Sequence, residues 1–356
     1  MPASADHRPS ARRALRWRTL VVAALLAAAA CSHAADGRGT PRSTQPPPTP
    51  AGATVPAFDR GRFAAVIPLP GAGPMTVADG QLWALKGAGT VVRVDPHTNA
   101  VVGTPLRVPA DAAAIAVGQG GLWVASVADG DLGTPSDDAV IRVDLATGRT
   151  VATIRVRRGP VDLAATPGAV WVTNSGGGGD SVARIDPHTN LLAGRPVTTG
   201  ASPQSLAVGA GSLWVANHDE GTVTRVDLAS GKVVADIPVP SEPHRVAYGA
   251  GAVWVGLWHD NSVSRIDPHT NRVVGSPIPI GFHHAGNLVV GAGSVWVTSD
   301  YRVDAAPEDV VVVRIDPQAN SAVETVAVGG HPIDLATTGG SVWVSVADPG
   351  TLLRLA

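Results

Sequence analysis

The sequence predicts an all-β chain closed into a seven-bladed β-propeller, with four antiparallel strands per blade. Three observations carry that expectation. Seven tryptophans, Trp83, Trp123, Trp171, Trp214, Trp254, Trp296 and Trp343, recur in near-identical settings such as "LWVA", "VWVT" and "VWVG", spaced 40, 48, 43, 40, 42 and 47 residues apart. Each is followed by an Arg, in "RVD" or "RID" at Arg93, Arg142, Arg184, Arg225, Arg265 and Arg314, and in "RLA" at Arg354. Each unit also divides into short runs rich in Val, Ile and Trp, separated by Gly, Asp and Asn, which read as strands and turns. Four strands at a period of 40–50 residues describe one propeller blade.

The unit holding Trp214 shows the plan. "QSLAV" (204–208), "LWVAN" (213–217), "TVTRV" (222–226) and "KVVADIPV" (232–239) are four candidate strands, joined by "GAGS", "HDEG" and "DLASG". The seventh unit stops at Ala356, after its third strand. "RFAAVIPLP" (62–70) resembles a fourth strand and is expected to pair with "TLLRL" (351–355), closing the ring without open edges.

Composition agrees with this reading. The 356 residues are 44% hydrophobic and only 16% charged, with 41 Gly and 30 Pro, favouring a sizeable core and many turns over long helices. The formal charge of −2 gives no reason to expect nucleic acid or an anionic membrane surface as a partner. A monomer is expected.

The N-terminus reads as an export signal over residues 1–30. Arg12, Arg13, Arg16 and Arg18 precede an apolar run from Leu20 to Ala30, too short to span a bilayer comfortably. The run ends at Cys31, the only cysteine, so no disulfide framework exists. The placement resembles a bacterial lipoprotein signal, which implies that Cys31 is the lipid anchor and the membrane contact; ordinary cleavage near "SHAA" (32–35) is the alternative. Either places the protein outside the cytoplasm, at the cell surface or in the periplasm. Residues 31–61 are rich in Pro, Gly, Ser and Thr and read as a disordered tether before the propeller at 62–356. Residues 1–30 carry five Arg and one Asp, so the chain without them is near −6.

"DPHTN" occurs at 95–99, 186–190 and 267–271, pairing an Asp with a His two residues on. The equivalent turns in other units read DLATG, DLASG and DPQAN. Their fifth position is always Asn or Gly, suiting a left-handed turn residue, whereas the third alternates between His, Ala and Gln. A ligand position would not alternate with Ala, so these histidines are read as exposed turn residues. The repeated Trp and Arg are likewise architecture: the Trp as packing between blades, the Arg as a local ion pair or carbonyl contact.

Function is expected where the repeats disagree. Twelve residues before each Trp, the chain carries Gly71, Asp111, Gly159, Ser202, Glu242, His284 and His331, with His244 and His283 nearby. Four or five residues after the Trp stand His218 and His259, accompanied by Asp219, Glu220, Asp260 and Asp300. In a four-stranded blade both segments open on one face of the disc. The acidic insertions 127–138 and 299–309 fall there too. The expected ligand face is therefore His218, Glu242, His244, His259, His283, His284 and His331, with His284, His331 and His259 as candidate catalytic groups. Its partner is read as a small molecule, peptide or protein. A divalent metal would need at least three of the imidazoles about one point, and no cofactor is otherwise indicated. "SGGGGD" (175–180) is no phosphate loop, because no helix follows it. No Ser-His-Asp or Cys-His arrangement stands out.

The stretch "VWVTNSGGGGDSVARIDPHTNLLAGRPV" (170–197) resembles the YVTN-type propeller repeat, with Trp in place of Tyr, and the likeness recurs over 62–356. The chain is also similar in style to the virginiamycin B lyase family. That resemblance implies a seven-bladed propeller that opens a cyclic depsipeptide by elimination, with a histidine base and a magnesium ion held by glutamates. The family's Glu three residues after Trp is replaced here by Lys86, Ser126, Asn174, Asn217, Leu257, Ser299 and Val346. A binding protein is the leading expectation, with a metal-assisted lyase or a hydrolase as the alternative.

Overall fold

The computed structural model describes residues 57–87, 89–127, 138–157, 159–175, 180–281, 284–299 and 310–355. Cys31, the segment read as an export signal and most of the one read as a tether lie outside the described residues, as do His283, Asp300 and nearly all of both acidic insertions. No helix among the described residues is long and apolar enough to cross a membrane.

Seven antiparallel sheets follow one another along the chain. Blade one comprises Ala72–Ala78, Gln81–Lys86, Thr90–Asp95 and Ala100–Arg107. Blade two comprises Ala112–Gly118, Gly121–Ser126, Ala139–Asp144 and Thr150–Arg155. Blade four, Pro203–Gly209, Ser212–Asn217, Thr222–Asp227 and Val233–Pro238, reproduces the strands read from its sequence within about a residue at most ends. Blade six runs Ala285–Gly291, Ser294–Ser299, Val311–Asp316 and Ser321–Ala327. In blades three and five the fourth strand is split, into Leu191–Leu192 with Val197–Thr198 and into Arg272–Val273 with Ile278–Pro279. Gly194 and Gly275 adopt positive φ there, each two residues before a Pro that cannot donate to the ladder.

Blade seven takes Pro332–Thr338, Ser341–Val346 and Thr351–Leu355 from the C-terminus and Phe63–Pro68 from the front of the chain. Phe63 pairs with Leu355 and Pro68 with Thr351, so the ring closes as the sequence predicts.

The repeated tryptophans bury between blades. Trp214 packs with Val246, Val253 and Val255 of the next blade, and Trp123 with Leu163, Val170 and Val172. In four blades the indole N–H donates to the carbonyl of a Gly five residues earlier, as from Trp214 to Gly209 at 3.0 Å. A Cβ on Gly209 would stand 1.9 Å from the Tyr248 ring of the neighbouring blade, so the turn needs glycine for close approach.

The seven Arg side chains lie over their Trp rings at 4.8–5.9 Å, in cation–π range. Of the two contacts expected for them, the structure shows the carbonyl contact to the next blade at four and a local ion pair at Arg314, which meets Glu324 at 3.4 Å. Arg142, Arg225 and Arg354 each donate through Nη1 to the Pro carbonyl and the Asn Oδ1 of the following DPHTN turn. Arg265 reaches the Pro317 carbonyl of the DPQAN turn at 3.1 Å. The Asp instead accepts the amide two residues on, as in His97 to Asp95 at 2.8 Å. This holds its carboxyl below the usual range. His97, His188 and His269 are exposed and Asn99, Asn190 and Asn271 have positive φ, as expected of architectural turns.

Nine residues before each Trp, on the innermost strands, stand Pro74, Ala114, Asp162, Ser205, Arg245, Asn287 and Asp334. From blade three onward these side chains join each blade to the next. Asp162 accepts the Leu206 amide at 2.9 Å and Ser205 the Val246 amide at 3.4 Å. Arg245 donates to Asn287 at 2.6 Å, Asn287 donates to the Ile333 carbonyl, and Asp334 accepts the Met75 amide at 2.7 Å. Pro74 and Ala114 have no side-chain polar atom to offer blades two and three.

Candidate functional site

The loop leading into each blade and the turn between its second and third strands lie at the same end of the antiparallel sheet, and backbone bonds tie them together. The amide four residues after the Trp donates to the carbonyl twelve before it: Gly87 to Gly71, Ser175 to Gly159, His218 to Ser202, Trp258 to Glu242 and Ala347 to His331, at 2.8–3.0 Å. Side chains at these two positions therefore emerge side by side on one face.

Over blades four to six this brings five rings into a continuous run. His218, from the second turn of blade four, meets His244 edge-on at 6.1 Å between centroids. His244 tilts against Trp258 at 4.4 Å. Trp258 stacks on His284, with 4.5 Å between centroids and 5° between planes. His284 in turn meets His259 edge-on at 6.1 Å. His259 forms an ion pair with Glu242, and His218 Nδ1 lies 3.0 Å from Asp219. His284 Nδ1 is 2.8 Å from the Trp258 carbonyl, which holds its ring parallel to the indole.

The run passes from buried to open. His244 is buried, Trp258 and His284 are half-buried, and His259 is exposed. Burial drives the His244 imidazole well below the ordinary histidine range, with the charge of Arg245 and the neighbouring His218 and His284 acting in the same direction. His244 is therefore a neutral aromatic surface at physiological pH.

Of the ligand-face residues read from the sequence, the structure brings together His218, Glu242, His244, His259 and His284. His331 stands in the loop leading into blade seven, where its carbonyl accepts the Ala347 amide. His283 lies outside the described residues. Among the described residues no group of three or more His, Cys, Asp or Glu is placed to hold one metal ion.

Sequence reasoning missed two features. Trp258 is central to the run, and its signal was present: it is a Trp outside the seven architectural positions, in a turn where the repeats disagree. The second is the set of charges on the innermost strands beneath the face. Burial raises the carboxyl of Asp162, against the lowering effect of Arg245 and the amides of Leu206 and Leu163. Burial likewise raises Asp334 to about 6, against the amides of Met75 and Leu335. Both side chains retain some exposure beside Arg245.

No protein-family model matches the chain, and no curated protein matches it in sequence. Solved structures do match it in shape. The WD40 beta propeller domain of Doa1 superposes with a TM-score of 0.65 at 12% identity, covering 83% of this chain and 96% of that one. Hydrazine Synthase from Kuenenia stuttgartiensis gives 0.63 at 16% identity, covering 84% and 98%. The fold is a seven-bladed β-propeller. At these identities the likeness of this propeller to those chains concerns fold alone.

Proposed function

We propose that this is an exported, lipid-anchored propeller of the YVTN repeat type that binds its ligand on the face of blades four to six. The observation that carries the reading is the run His218–His244–Trp258–His284–His259. A propeller needs one Trp per blade to pack, and these additional rings do not serve that repeat. They lie where the units diverge, and Trp258 and His284 are half-buried, leaving apolar and hydrogen-bonding surface within reach of solvent. Such surfaces suit a ligand that pairs planar contact with a few polar bonds. The basic and apolar leader ending at Cys31 supports export and lipidation.

The ion pair between Glu242 and His259 favours a second reading, an enzyme on the same face. A carboxylate beside an imidazole fixes its tautomer and orientation, as general-base chemistry in a hydrolase or lyase requires. Against the magnesium-dependent mechanism of the virginiamycin B lyase family, the Glu position after Trp is filled by Ser, Asn, Lys and apolar residues.

A thermal-shift screen with metal ions and small molecules, repeated on Trp258→Ala and His284→Ala, tests the binding reading. Stabilisation of the native protein that both variants lose is expected. Ligands that stabilise all three proteins equally would remove this face as the site.

A further inference from the structure

We propose that the face of blades four to six selects a cationic peptide segment, one that presents Lys or Arg side chains. This rests on the binding reading above and names the chemistry of the ligand.

Four loops surround the ring run: 198–204, 217–222, 239–244 and 257–262. Together they carry Asp219, Glu220, Glu242 and Asp260 and contain no Lys or Arg. Asp219, Glu220 and Asp260 are exposed and Glu242 is half-buried. Arg245 lies on the innermost strand, next in sequence to His244. Its Nε donates to Asn287 and its Nη1 to the carbonyls of Gln204 and His244, so it is engaged within the fold.

The rings point to the same ligand. The indole of Trp258 and the buried, uncharged imidazole of His244 present electron-rich faces, over which a cation is attracted most strongly when the ring is desolvated. The carboxylates add long-range attraction at the rim and direct contacts at the ends, through Glu242 beside His259 and Asp219 beside His218. An anion would meet four carboxylates and no Lys or Arg in these loops. A lone metal ion finds no three-ligand group among the described residues. The ring run, four contacts long across three blades, is longer than one ammonium group and suits several successive side chains.

Backbone geometry gives independent support. The position twelve before the Trp is Gly71, Gly159 and Ser202 in three other blades, each at positive φ of 58–70°. His284 occupies that position at φ 21°. A bulky residue is costly there, and such costs persist where a side chain is needed. In this fold the gain is the ring stacked on Trp258.

The test is fluorescence anisotropy of dye-labelled hexalysine, hexaglutamate and a neutral Gly-Ser hexapeptide against the full-length protein at physiological salt, where distant surface charges are screened. Hexalysine is expected to bind, with affinity at least tenfold weaker in Trp258→Ala and in the Glu242→Gln/Asp260→Asn double variant. Asp227→Asn on the opposite face should leave it unchanged, and unchanged melting temperatures would show that the variants fold. Binding of the neutral or acidic peptide as tight as hexalysine, lost in Trp258→Ala, would overturn the cationic assignment while leaving the face a binding site. Hexalysine binding indifferent to both variants would overturn the assignment and the binding reading together.

Discussion

Asp334 accepts the Met75 amide at 2.7 Å, although 259 residues separate them, because the last blade lies against the first. The bond repeats what Asp162 does for Leu206 between blades three and four, and it places a carboxylate where burial raises its pKa to about 6. The same residue type therefore joins blades and carries an electrostatic cost.

That cost has a defined pH window. Folded Asp334 stays protonated up to about pH 6, whereas the unfolded carboxyl ionises near 3.8, so the folded chain binds more protons in between. Its contribution to stability is greatest below about pH 4 and falls as pH rises to 6, by up to roughly 3 kcal/mol. Asp334→Asn should flatten that part of the stability–pH curve, measured by urea denaturation. A slope identical to the native protein's would refute the assignment.

His244 works in the opposite sense. Its folded pKa lies well below 6.5, so acidification protonates the unfolded chain first and lowers stability as pH drops below about 6.5. His244→Phe should retain the ring contact with Trp258 and lose this acid sensitivity. Parallel thermal melts at pH 7.5 and 5.5 would measure the difference.

The arginines should not be equivalent. Arg225 stacks on Trp214 and donates to the Pro268 carbonyl and Asn271. Arg93 stacks on Trp83 but faces a DLATG turn, with no Pro carbonyl or Asn amide to receive it. Arg225→Ala should cost about 2–3 kcal/mol, and Arg93→Ala about 1 kcal/mol or less, by chemical denaturation. Equal losses would show that the turn bonds add nothing.

Removing residues 62–70 deletes the strand that pairs with Thr351–Leu355. The exposed edge should abolish cooperative unfolding or cause aggregation, seen as the loss of a single sharp calorimetric transition.

Much of the fold was legible because each blade repeats the same local instructions. The Trp spacing located the blades, the Asn or Gly of each third turn marked a left-handed residue, and the orphan strand at 62–70 matched the missing one. The site was only partly legible. Counting from each Trp found His218, His259 and His284 on one face, but ring contacts depend on how neighbouring blades register, which no single repeat contains. Trp258 passed unremarked because it resembles the architectural tryptophans in type while differing in position. Asp162, Arg245 and Asp334 stood at equivalent places nine residues before the Trp, yet their meaning appears only when adjacent inner strands meet. The role of the repeated Arg likewise needed the next blade's turn.

Pro74 and Ala114 leave the innermost strands at two successive junctions of the ring without the side-chain bond that those strands make at the other five. The inner strands of blades one, two and three meet there through apolar contact, the polar ties between blades two and three being left to Arg142 on the Pro187–Asn190 turn and to Asp138 on the Gly159 amide, so this inner seam yields more readily to local separation than a bonded one. Thermal breathing of the disc should therefore begin beside blade two, so amide hydrogens of Ala112–Gly118 should exchange earlier than those of Pro243–Gly249. New chain ends introduced by circular permutation would be tolerated best in the loop after Arg107, well away from the rings of blades four to six.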